Sequence, residues 1–123
     1  MRTIRSLWSV PVLALALAGP AHAATLVSQG LRVASGDIAN CLIVNAGTKE
    51  ITVKFELLNV NGEVAGEDEA SVLPGGQSSQ PFPGNTGSAH CRFTGAFSKR
   101  DVRASIDVTS GSDFGTRATA PAQ

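Results

Sequence analysis

The chain has no tyrosine, and its single tryptophan and single methionine are Trp8 and the initiator. Sugar-binding sandwiches rest ligands on exposed tryptophan or tyrosine faces, so the lack of both beyond residue 8 argues against that role. Copper handling favours clustered methionine or histidine, and beyond residue 23 only His90 is available. One histidine and two cysteines also fall short of the three or four ligands that zinc takes. There is no Gly-x-Ser-x-Gly elbow to present a serine and no Gly-x-x-x-x-Gly-Lys loop for phosphate. Basic excess, the mark of nucleic-acid or anionic-membrane binding, is missing as well. No cofactor is implied.

What is present begins with an address. Arg2 and Arg5 precede an apolar stretch at 7–18, and Ala21-His22-Ala23 supplies a small-x-small cleavage site. This is the pattern of a secretory signal peptide over residues 1–23. Twelve residues are too few to cross a hydrocarbon core of about 30 Å as a helix. No later stretch replaces it, so no membrane insertion is expected after cleavage. Removing two of the ten basic residues leaves 8 against 10 acidic ones, a net charge of −2 on residues 24–123. Those 100 residues are one domain by length, expected in the periplasm or outside the cell.

Residues 41–64 organise the rest. Ile51, Val53, Phe55 and Leu57 alternate with Thr52, Lys54 and Glu56, as on a half-buried strand. Asn61-Gly62 follows, a hairpin signal because both residues tolerate the positive φ of a type I′ turn. Similar runs recur about every ten residues, separated by Gly, Asn, Pro and Ser. Strands are expected at 25–34, 38–45, 50–60, 63–72, 77–82, 88–97 and 101–110, with a last piece at 114–119 and a frayed tail. The fold class is all-β: an immunoglobulin-like sandwich of about seven antiparallel strands with one disulfide. Cys41 has no partner but Cys91, and in an exported chain the two should form a structural staple between the sheets. The period of two places Leu31, Val33, Cys41, Ile43, Ile51, Val53, Phe55, Leu57, Leu73, Cys91, Phe93, Val102, Ala104, Ile106 and Val108 inside. Strands 50–60, 88–97 and 101–110 are expected as neighbours, with Lys54, Glu56, Arg92, Arg103 and Asp107 on one outer surface.

The segments CLIVNAGTKEITVKFELLNVNGEV, LPGG, HCRF and VRASIDV together resemble a group of short exported bacterial β-sandwich proteins, mostly uncharacterised. Their pattern is a Cys-x-Ile/Val-x-Asn-x-Gly start, alternating strands, a Leu-Pro-Gly-type turn, Cys-x-Phe and Val-Arg-Ala, matched here over about residues 38–110. The resemblance implies the fold and carries no active site. Ala89 stands where antibody-type domains place a tyrosine, and their core tryptophan is missing.

Three places remain for function. His90 adjoins Cys91 and therefore points outward, a solvent-facing side chain or the base of a hydrolase with a nearby Ser or Asp. Glu67-Asp68-Glu69 reads as a solvated acidic edge or a weak cation site. Residues 74–88 hold three prolines and four glycines around one large apolar side chain, Phe82. Pro81 and Pro83 restrict the backbone on either side of Phe82, which suits either a recognition anchor or a ring tucked into the core. The leading functional expectation is a non-enzymatic interaction or structural module with a protein partner. A small hydrolase inhibitor presenting 74–88 and a hydrolase using His90 are the alternatives.

Overall fold

The computed structural model describes residues 23–112 and 115–123. The expected leader, apart from Ala23, residue 113 and residue 114 of the expected last strand lie outside the described residues. Among the described residues nine strands form two antiparallel sheets. In chain order they are β1 (Ala24–Val27), β2 (Leu31–Val33), β3 (Asp37–Asn45), β4 (Ile51–Asn59), β5 (Val64–Val72), β6 (Gln77–Phe82), β7 (Gly87–Gly95), β8 (Val102–Ser110) and β9 (Thr116–Pro121). A 3-10 turn, Lys99–Asp101, leads into β8. One sheet has the order β1-β7-β4-β5 with β2 also on β7, and the other β6-β3-β8-β9.

Two of the nine strands come from the single run expected at 25–34. Ser28 interrupts it: its hydroxyl accepts from the Cys91 N–H at 2.8 Å, where a continuous strand would offer a carbonyl. The Ser28 N–H still donates to the Cys91 carbonyl at 2.9 Å. Its backbone meanwhile bridges Ala122. The tail is therefore not frayed. Val27 and Gln123 exchange both backbone hydrogen bonds, at 2.8 and 3.1 Å, and join the two sheets along that side.

The β4–β5 hairpin forms, with a wider loop than a two-residue type I′ turn. The Gly62 N–H donates to the Asn59 carbonyl, and the Asn59 N–H to that of Glu63. Gly62 takes the positive φ (+80°) that suits glycine. Asn61 is instead held by the Asn59 side chain, whose Oδ1 accepts from the Asn61 and Glu63 N–H groups at 2.9 and 3.0 Å.

Inward residues from both sheets meet in one apolar core. Phe55 and Phe93, opposite each other on β4 and β7, pack edge to face at 5.7 Å. Cys41 on β3 and Cys91 on β7 are bonded across the sheets, Cα to Cα 5.8 Å, and fully buried. Leu31 is only half-buried against this core. Leu73 is an error of phase: Val72 takes the last inward place on β5, so Leu73 starts the next turn and is 64% exposed.

The strand order also departs from expectation. β8 lies beside β3 in the second sheet and has no place next to β7. In the constant immunoglobulin order the strand after the second cysteine strand sits beside it. The sandwich and its inter-sheet disulfide hold here with a different pairing of the flanking strands.

Candidate functional site

Phe82 and its two prolines were the sequence's recognition candidate, and the structure separates them. Pro81 and Pro83 are exposed, whereas Phe82 is 8% exposed and part of the core. β6 is an edge strand, where proline is tolerated, and its alternation sends Ser78, Gln80 and Phe82 toward the interior. The ring lies over Gly66 of β5, where a β-carbon would come within 2.6 Å of it. The buried reading of Phe82 therefore holds, and the ring offers no free face to a partner.

His90 sits half-buried on the outer face, opposite Leu58 of β4. Its imidazole makes no hydrogen bond among the described residues, so no Ser or Asp addresses it as a catalytic base would require. Among the described residues no three His, Cys, Asp or Glu side chains converge to hold a metal ion. Glu67, Asp68 and Glu69 fail to do so because successive strand residues point to opposite faces.

The end of the sandwich where β3, β5 and β7 finish is wired through Asn45, a residue read from sequence only as part of a turn. Its Nδ2 donates to the carbonyls of Lys49 (2.7 Å) and Val72 (3.0 Å), and its Oδ1 accepts from the Gly47 N–H (3.0 Å). Its backbone N–H donates to the Gly76 carbonyl, and its carbonyl accepts from Gly75. Ala46 adds a bond to the Asp101 carbonyl at 2.7 Å, so three loops are fixed together. Beside them lies a cleft of about 520 Å³ with Ile51 and Phe97 at its apolar side and Lys49, Glu50 and Asp101 on its rim. Asn45 is 1% exposed, so Asn45→Ala would strand buried partners. We expect a loss of about 2–3 kcal/mol, measurable by urea denaturation, and increased hydrogen exchange at Gly47 and Gly75.

The outer face of the first sheet carries an ordered row of charge. Arg92 donates to both carboxylate oxygens of Glu56, at 2.9 and 3.1 Å. Lys54 lies 3.9 Å from Glu56 and 3.6 Å from Glu67, extending the row onto β5. Arg103 and Asp107, expected on this surface, are on β8 in the opposite sheet. There Arg103 donates to the carbonyls of Arg100 and Val102, while Asp107 accepts from Asn40 at 2.8 Å.

The Glu56 side chain is only 8% exposed. The Arg92 hydrogen bonds hold its carboxyl below the ordinary 4.5, outweighing burial, which acts the other way; the charges of Arg92 and Lys54 help. A carboxyl lowered on folding stabilises the protein above its unfolded value, and that contribution fades as pH falls through the folded one. Stability should thus decline below about pH 4.5, and Glu56→Gln should flatten that part of the curve. Denaturation midpoints collected from pH 7 to 3 would test this; parallel curves for the two proteins would refute it.

β5 was legible as an acidic edge, but its setting was not. It ends its sheet, and no other strand pairs with its outer side among the described residues. Asp68 and Glu69 have no ion-pair partner there, while Glu67 has Lys54. The described large hydrophobics that are exposed are Val27, Val60, Val64 and Leu73. Three of the four flank this strand: Val60 (76%) and Val64 (46%) at one end and Leu73 at the other.

No family model matches the chain, and no curated protein does. Its fold is similar to the crystal structure of Thermotoga maritima 1070, with a TM-score of 0.59 at 8% identity over 80% of this chain and 91% of that one. At that identity the likeness extends to the all-β architecture alone.

Proposed function

We propose that the protein is an exported, non-enzymatic β-sandwich that serves as an interaction module of the periplasm or cell exterior. One observation carries the reading: three of the four exposed large apolar side chains among the described residues lie at the two ends of one uncovered, acidic edge strand. Large exposed apolar residues cost solubility unless something covers them, and an open edge is a hazard that folds otherwise blunt. The buried disulfide is in keeping with an oxidising compartment. β1 begins at Ala24, directly after the expected cleavage point.

The test is photo-crosslinking in the source cells. A photoreactive residue at Ser71, on the exposed edge, should give discrete adducts, and one at Ser79, exposed on β6, should give none. Equal patterns at the two positions would sink the interaction reading. Mass spectrometry of the same material should show a chain starting at Ala24; a form retaining Trp8 would refute cleavage.

A further inference from the structure

We propose that the outer edge of β5 receives an extended, basic segment of a partner polypeptide as an added antiparallel or parallel strand. The inference rests on the interaction reading above and specifies its chemistry. Strand addition needs a free row of backbone donors and acceptors, and the edges of this sandwich differ in what they offer. The end of β1 with Gln29 and the end of β9 with Gln123 lean on each other through the Val27–Gln123 and Gln29–Pro121 bonds. β6 has Pro81 in its length, which removes a donor. β5 has neither obstacle over nine residues. No backbone group in 64–71 makes a hydrogen bond to backbone outside its own sheet among the described residues.

Charge decides the occupant. A second copy would pair β5 with β5 about a two-fold axis. Centred on Asp68, that sets Asp68 against Asp68 and Glu67 against Glu69. A shift of one or two residues either way still sets at least one acidic side chain against another. Like charges directly opposite are destabilising, so the strand disfavours these central registers with itself. A segment with consecutive lysine or arginine residues meets the reverse situation. Glu69 shares the outer face with Lys54, whereas Asp68 lies on the Phe55 side of the strand yet remains exposed. Adjacent basic residues on the incoming strand would reach one acid on each face. The Asp68 carboxylate now accepts from the Glu69 N–H at 2.7 Å; where that N–H faces outward, a partner carbonyl would take its place and release the carboxylate to a cation.

The probe is the peptide acetyl-Ser-Val-Lys-Arg-Lys-Val-Ser-amide, titrated into the oxidised 24–123 protein and followed by amide chemical shifts. Shifts should concentrate on β5 and the facing residues of β4. Methylating the backbone nitrogens of the central Arg and Lys keeps the charge and removes strand donors; it should weaken binding about tenfold or more. Asp68→Asn and Glu69→Lys, both at exposed positions, should weaken it comparably, with unchanged thermal unfolding showing that the fold is intact. Equal affinity of the methylated peptide would reduce the contact to charge adhesion and overturn strand addition. Shifts centred on the Lys49 cleft, or no binding at millimolar peptide, would overturn it too. Crosslinks at Ser71 without peptide binding would leave the interaction reading standing and remove only its strand chemistry.

Discussion

Replacing Cys41 and Cys91 together by alanine should cost about 4 kcal/mol of folding stability. The bond closes a loop of sequence separation 50, and the chain-entropy estimate for such a loop is about 4 kcal/mol. A domain of this size has a total of about 5–15 kcal/mol, so the variant would retain little. Both cysteines are fully buried between β3 and β7, and alanine leaves space where the sulfurs were, which adds to the loss. Urea denaturation should give strongly lowered midpoints for both the variant and wild type in dithiothreitol, the variant's being the lower of the two. A loss below about 1 kcal/mol would mean that the sheets are held well enough without the staple, contrary to the model's loop argument.

The second large effect is expected on the opposite flank, where no disulfide helps. Phe82→Ala should cost about 3–5 kcal/mol, as for other large core aromatics. There β5 and β6 are edges of different sheets that approach without pairing, and Phe82 fills the space between them over Gly66. The geometry makes a sharper prediction through coupling. Gly66→Ala should be damaging in wild type, because the new methyl meets the ring, and far milder once the ring is gone. A double-mutant cycle would show this as strong non-additivity. Additive losses would mean that β5 yields easily and that the contact does not set the spacing of the sheets.

Faces were legible in the sequence where partners were not. Val102, Ala104, Ile106 and Val108 alternate with polar residues, and all four are buried. The same alternation is satisfied in either sheet, so nothing local told β8 to lie beside β3. Cys41–Cys91 was legible because two cysteines leave one pairing. Ser28 was not, because a hydroxyl standing in for a strand carbonyl is visible only once Cys91 is opposite it. Asn45 followed by a glycine two residues on reads as a turn, and its role depends on Val72, Gly75 and Gly76 arriving from another part of the chain. Phe82 between two prolines suited a loop or a core residue equally well; the nearby Gly66, which makes room for the ring, lies sixteen residues earlier on another strand. Leu73 failed by one residue of phase, the usual hazard of a period of two.

The bonds between Val27 and Gln123 bear on the order of events during synthesis. A ribosome releases β1 well before the residues that hold it. Its ladder partner, Gly87–Gly95, follows some sixty residues later, and its other neighbour is at position 123. Such distant pairings make closure slow compared with local hairpins. The β4–β5 hairpin can form as soon as it emerges, while β1 waits with both edges open to chaperones. Arrival of Gln123 then completes the hold on β1, so a chain cut after Ala120 should fold with its first strand held on one side only.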